Sequence, residues 1–389
     1  MKKITALTLA LLLSVMSFSQ KKILFDATHG ESASNADWVI DADSWDLDGE
    51  ANPQRFPTPD QSGITASTPE DYWTGALSAW GVDAVKAGFY VETLPYGADI
   101  SYGNSSNPQD LSHYSMFVVC EPNNPFSSTE KEAIIKFVEN GGILFMIADH
   151  DGADRDGDGW DAVEIWNDLE ENNPIKYNPF GITFSGDIDD SGSNIKYPDD
   201  PVIVGPYGTV TKVEFYGGST ITIDPSANSS VKGIIYRDGY STSNNDNIMV
   251  ATATYGKGYV FAIGDSSPID DGTGDNNDNL YDGWLEDADG NHRILIMNAT
   301  TWALSTFSPV ENPAQQNNIK IITNKNTVTF TSSPEISGTI SIYDLSGHKL
   351  VNDNFGKGYF SISGLSEGIY IVKIIDANGN FYTEKFVLW

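Results

Sequence analysis

Apolar residues gather in short runs along the first half of the chain, at 23–25 before Asp26, at 89–94 with Glu92 and Thr93 inside, and unbroken at 116–120 and 143–148. Continuous runs of this length, rather than alternating ones, fit strands buried on both faces. Helical patterns lie between them. Thr68 is placed to cap a helix that starts Pro69-Glu70-Asp71 and passes Leu77, Trp80 and Val85 to Gly88. Ser127 or Ser128 caps a second, with Glu130 and Glu132 in its first turn and Asn140-Gly141-Gly142 as its stop. After a long polar insertion, 247–255 and 258–264 read as two strands joined by Tyr255-Gly256-Lys257-Gly258. A last helix, about 292–304, packs Ile294, Leu295, Met297, Ala299 and Trp302. The pattern predicts an α/β domain with a mostly parallel sheet and helices on both faces.

Past a polar, Pro-containing run at 307–319 the period changes to two. Short strands are expected at 339–344, 359–362, 368–375 and 381–389, with turns at Ser346-Gly347, Gly364 and Asn378-Gly379. This is a small antiparallel sandwich of residues 320–389, joined by a linker to a large domain of residues 20–306. At the other end, Lys2-Lys3 precede an apolar stretch at 4–18 that is short for a membrane span. Residues 1–19 therefore read as a cleaved secretory signal, and no later segment reads as a transmembrane span.

Charge sharpens the division. The chain has 22 basic and 54 acidic residues, a net of −32. The segment 320–389 holds six of each, while residues 20–319 hold 14 basic and 48 acidic ones, a net of −34. Such a surface repels phosphate backbones and excludes nucleic acid as a partner. With 40% apolar and 12% aromatic residues the chain has enough for real cores. One cysteine, Cys120, excludes a disulfide framework and a Cys-rich zinc site.

The acids are clustered: eight in 26–50, six in 149–161 and nine in 265–289. Each cluster begins where an expected parallel strand ends, the end at which open α/β sheets bind ligands. His29, His150 and His292 fall in or beside the same segments. Carboxylates and imidazoles converging on one rim suit a divalent ion, which offsets their repulsion. Asp26, Asp265 and His292 are the expected metal ligands there, for zinc, magnesium or manganese. His29, His150 and Asp149 are the expected catalytic groups, with either histidine as general base. Separately, Asp154-Arg155-Asp156-Gly157-Asp158-Gly159 has acids at alternate positions and Gly at the sixth, the opening of a calcium loop. Its twelfth position is Ile165, so Asp161 or Glu164 would have to close it. The runs 275–279 and 287–291 are weaker versions. The aromatics of these loops, Trp38, Trp45, Trp160, Trp166, Tyr281 and Trp284, read as anchors more than as sugar platforms.

Two resemblances add to this reading. Asn140-Gly141-Gly142-Ile143-Leu144, Tyr255-Gly256-Lys257-Gly258-Tyr259-Val260 leading to Gly264-Asp265, and Thr301-Trp302-Ala303-Leu304 resemble the class I glutamine amidotransferase-like superfamily, in its non-amidotransferase branches. The resemblance implies a flavodoxin-like/amidotransferase-like fold and transfers no activity. Cys120 is followed by Glu121-Pro122, without the Gly-x-Cys-x-Gly elbow of that family, and reads as a structural residue. The C-terminal segment resembles the type IX secretion sorting domain of Bacteroidetes through Ile342-Tyr343-Asp344-Leu345-Ser346-Gly347, Leu365-Ser366-Glu367-Gly368-Ile369-Tyr370-Ile371-Val372-Lys373 and Lys385-Phe386-Val387. It implies the type IX machinery as partner and a secreted or cell-surface destination. Two functions are expected from this sequence. One is an exported metal-dependent hydrolase of an extracellular ester, phosphoester or glycan. The other is a non-catalytic, calcium-ordered surface protein that contacts polysaccharide.

Overall fold

The computed structural model describes residues 21–40, 60–274, 278, 280–286, 288, 290–307, 320–324, 327–333, 335–344, 349–366, 368–376 and 381–388. The expected secretory segment 1–19, Trp45, most of the linker and of the acidic run 275–279, and Asp287 and Asp289 of the run 287–291 lie outside these residues. The chain divides into two units, Met1–Val310 and Glu311–Trp389.

In the first unit, β1 (Lys22–Asp26), β2 (Tyr90–Leu94), β3 (Met116–Cys120) and β4 (Ile143–Ile147) are the expected apolar runs. They are followed by β5 (Ile182–Ile188), β6 (Gly218–Ile223), β7 (Lys232–Tyr236), β8 (Ile248–Tyr255) and β9 (Gly258–Ile263). The sheet order is β2-β1-β3-β4-β9-β8-β6-β5, with β7 on β8 and the two-residue strand Asn194–Ile195 on β7. Pairings from β2 through β9 are parallel. From β9 onward they are antiparallel.

The sheet is thus mixed, which overturns the expected flavodoxin-like/amidotransferase-like, mostly parallel fold. The cause lies in the long insertion, whose strands β5, β6 and β7 add to the sheet instead of standing outside it. Antiparallel neighbours are joined by turns and need no crossover helix. Four α-helices are therefore all that the described residues contain: α1 (Ser78–Lys86), α2 (Ser128–Glu139), α3 (Ala162–Glu171) and α4 (His292–Thr306).

Alternation along the strands sends Phe25, Val118, Phe145 and Phe261 into one core with α1 and α4. Leu24, Phe117, Leu144 and Val260 enter the other with α2 and α3. The α2 cap is as expected: Glu130 N–H donates to Ser127 Oγ while the Glu130 side chain accepts from Ser127 N–H at 2.8 Å. The expected helix from Pro69 is cut back. Glu70–Tyr72 is an isolated 3-10 turn, and Gly75, at φ +125°, separates it from α1. Lacking a cap of its own, α1 receives one from far along the chain, where Asp271 Oδ2 accepts the Ala79 N–H at 2.6 Å.

The second unit is antiparallel. A three-stranded sheet (Lys320–Asn324, Thr327–Thr331, Tyr359–Ser363) and a four-stranded one (Lys349–Phe355, Gly338–Asp344, Gly368–Asp376, Phe381–Leu388) share one core. Phe330 of the first meets Phe386 of the second edge to face at 5.3 Å. Strands 320–324, 327–331 and 349–355 were not expected from the sequence. No helix among the described residues is long and apolar enough to cross a membrane.

Candidate functional site

Because β1, β3, β4 and β9 run parallel, their carboxyl ends share one rim, and the chain leaves each through a buried acid or its neighbour. β1 ends in Asp26. Thr28 donates both its N–H and its hydroxyl to Asp26 Oδ1, at 3.1 and 2.9 Å, and Asp26 Oδ2 lies 2.9 Å from His29 Nδ1. The loop then turns at Gly30, φ +77°, where a Cβ would press on Asn123 at 3.2 Å. This lets Glu31 double back, so that its Oε2 accepts the His29 N–H at 2.8 Å. On its far side the His29 ring rests on Phe126, 4.6 Å between centroids, and its Nε2 lies 3.6 Å from Glu130 of α2. Burial works against a charge on His29, but Asp26, Glu130 and Glu31 outweigh it and raise the imidazole to about 10. Burial and then Asp26 push the Glu31 carboxyl well above its ordinary value.

β3 ends in Cys120, and Glu121 follows at φ +50°, a left-handed backbone rare outside glycine. Glu121 is fully buried. Arg155 Nε donates to it, Ser266 donates at 3.2 Å, and Arg155 Nη2 reaches Asp149 Oδ2 at 3.0 Å. One guanidinium thus bridges the ends of β3 and β4. Burial, then Asp149, nevertheless lifts the Glu121 carboxyl well above its usual range. The Cys120 thiol is pushed up too, by burial first and Glu121 next, which suits the structural role read from the sequence. Asn123 ties the rim together: its N–H donates to His29 O at 2.6 Å, and its Oδ1 accepts the Arg155 N–H at 3.0 Å.

The other expected residues have these places. His150 is half-exposed, with Nδ1 3.4 Å from Asp149, whose hydrogen bond raises it above its ordinary value. Asp265, at the end of β9, accepts N–H groups of Tyr216 and Ser267 at 2.7 and 2.8 Å; burial and then Asp149 raise it to about 7. His292 stands away from this chemistry. Its Nε2 accepts the Glu214 N–H at 3.0 Å and its Nδ1 lies 2.7 Å from Gly283 O, so both ring nitrogens meet backbone. The expected metal set Asp26, Asp265 and His292 is therefore not brought together. Among the described residues two groups of three hold metal-ligand atoms within 4.8 Å of one another, Asp26/His29/Glu31 and Asp154/Asp156/Asp158.

The second group is the expected calcium loop, and it is exposed. Asp154 accepts N–H groups of Gly157, Asp158 and Gly159, and Asp158 accepts that of Trp160. Gly157 and Gly159 turn it at φ +76° and +94°. Asp161 is spent as the N-cap of α3, accepting from Glu164 and Gly152 N–H groups, and neither Asp161 nor Glu164 joins the group of Asp154, Asp156 and Asp158. Of the loop aromatics, Trp38, Trp166 and Trp284 are buried anchors, whereas Tyr281 is exposed and stacks on Tyr216 at 5.5 Å. A hollow of about 410 Å³ beside Tyr216 is lined by His150, Asp187, Ile188, Asp189 and Gly217. Glu31, Glu121, Glu130, Arg155 and Ser266 were missed by sequence reasoning. Of these, only Glu31, two positions from His29, carried a local signal.

Comparisons with solved structures return partial and divergent likenesses. A cytoplasmic protein, STM3548, of Salmonella typhimurium is 11% identical at TM-score 0.40, over 75% of this chain and 100% of that one. The mmIFT52 N-terminal domain is 12% identical at TM-score 0.38, over 74% and 98%. An immunoglobulin-like β-sandwich protein of the DUF3244 family from Bacteroides vulgatus is 20% identical at TM-score 0.17, over 18% and 84%. No curated protein matches. Residues 309–388 match a family described as Domain of unknown function (DUF8694).

Proposed function

We propose that the protein is an exported, non-catalytic surface protein whose large unit is ordered by calcium at Asp154, Asp156 and Asp158 and presents its acidic rim to polysaccharide. One observation carries the reading: three carboxylates offer ligand atoms within 4.8 Å of one another in a loop whose two glycines adopt the left-handed turns that wrap an ion. The loop has a structural purpose as well, since Arg155 leaves it to pair with Glu121 and Asp149, and Asn124 donates to Asp156. The hollow beside Tyr216 and Tyr281 offers an aromatic face among acids, which suits a neutral or basic saccharide over an anionic one. The type IX machinery would act on the C-terminal unit and deliver the large one to the cell surface or the medium. Calcium titration of chelated protein is the test. One bound equivalent and a raised melting temperature are expected, both lost in Asp156→Asn, and no response to calcium overturns the reading.

A second reading, the metal-dependent hydrolase of an ester, phosphoester or glycan, is favoured by the crowding of perturbed groups at the strand ends: His29 near 10, Asp265 near 7, and Glu31 and Glu121 well raised. A bound divalent cation would supply Lewis-acid polarisation of the scissile group. Asp26 would orient the His29 ring, and Glu130 would hold the proton on its Nε2. A hydrolase screen with and without chelator separates the readings: activity that chelator abolishes, that zinc or manganese restores where calcium does not, and that falls with His29→Gln selects the enzyme.

A further inference from the structure

The buried group at the end of β1 differs in kind from the calcium loop. We propose that Asp26, His29 and Glu31 bind one divalent transition-metal ion of the zinc, manganese or cobalt type. All three residues are at most 5% exposed, and each offers a ligand atom within 4.8 Å of the others. His29 Nδ1 and Asp26 Oδ2 are 2.9 Å apart. Two ligands at about 2.1 Å from one ion stand about 3.0 Å apart at the right angles of octahedral coordination, so this spacing accepts an ion with octahedral ligand angles in place of the proton between them.

The second observation is an orphan. Glu31 Oε2 accepts the His29 N–H, but no donor among the described residues reaches its buried Oε1, and the group lies within hydrogen-bonding reach of the Asp26 carboxylate instead. A buried carboxylate oxygen without a donor is costly, and a cation supplies what the missing donor does not. The surroundings are those of a supported ligand set. Thr28 holds Asp26 Oδ1, which turns Oδ2 toward the imidazole, and Glu130 faces the remaining ring nitrogen. Two carboxylates and one neutral imidazole leave no net charge around a divalent ion. The nitrogen donor selects a transition metal over calcium, which takes oxygen ligands.

The inference goes beyond the calcium reading and is tested apart from it. The full chain is stripped with chelator, saturated with calcium, and titrated with Zn²⁺ and separately with Co²⁺. Bound metal is counted after desalting, and cobalt is followed by its visible absorption. About one tightly held equivalent is expected, with a cobalt spectrum showing nitrogen ligation. Asp156→Asn should keep it, whereas Glu31→Gln should weaken affinity by about tenfold or more. Less than about a tenth of an equivalent on the wild-type chain, a cobalt spectrum of oxygen ligands alone, or unchanged affinity in a folded Glu31→Gln would overturn the proposal. Because the wild-type measurements decide by themselves, a variant that fails to fold does not protect it. If Asp156→Asn loses calcium and keeps zinc, the two sites stand or fall separately.

Discussion

The two acidic triads at the rim hold the same number of titratable groups and handle them in opposite ways. Asp154, Asp156 and Asp158 sit in water, and backbone N–H groups of their own loop satisfy them. Asp26, His29 and Glu31 are enclosed: Asp26 meets the His29 ring, backbone N–H groups of Thr28 and His29 serve the two carboxylates, and one carboxylate oxygen of Glu31 has no donor among the described residues. Burial rather than charge count decides the chemistry. The exposed triad costs little without an ion, while the buried one stores electrostatic stress that an ion or a proton must relieve.

The difference can be broken from either side. The largest effect belongs to Arg155, the side chain that joins the exposed loop to the buried acids. Arg155→Ala should cost about 3–5 kcal/mol in urea unfolding, because Glu121 and Asp149 lose their shared counter-charge. Chelation comes next. On the proposed calcium binding, an ion at a hundredfold above its dissociation constant would contribute about 2.7 kcal/mol, so removing it should lower the melting temperature in the wild type and not in Asp156→Asn.

The pH dependence has a definite sign. Burial raises Asp270 to about 8 and Asp271 to about 7, so between about pH 4 and 8 the folded state holds protons that the unfolded state has lost. Their contribution is complete below pH 4 and disappears as pH rises through 7 to 8. In cation-free buffer the urea midpoint should therefore fall over that range, and less steeply in Asp270→Asn. The smallest effect is at the α2 cap, where Ser127→Ala should cost about 1 kcal/mol. It also loosens Glu130, so a shift of the His29 ring signals in NMR would place that carboxylate in the buried group.

What could be read in advance was local. The continuous strands β1 to β4, the capping box of α2, the Tyr255–Gly258 turn and the clustering of Asp154, Asp156 and Asp158 each declare themselves within a dozen residues. Asp26 and His29, three residues apart, did so as well. The antiparallel half did not, because β5 to β7 are spaced by long polar loops and gain their place only by pairing with β8. Glu121 and Arg155 are 34 positions apart, and neither belongs to a spacing that signals the other. His292 failed for the opposite reason: its position beside an acidic run suggested a ligand, while backbone groups from 78 and nine residues away claim its two nitrogens.

Lys21, just ahead of β1, donates to the carbonyl oxygens of Leu304 and Phe307 at the end of α4. The first and last described residues of the large unit thus lie within one side chain's length of each other. A few flexible residues would bridge the two points, and the polypeptide could be reopened in an exposed turn such as 239–245. A circularly permuted version should keep the sheet, both cores and the rim, since none of their contacts depends on which end of this unit is made first.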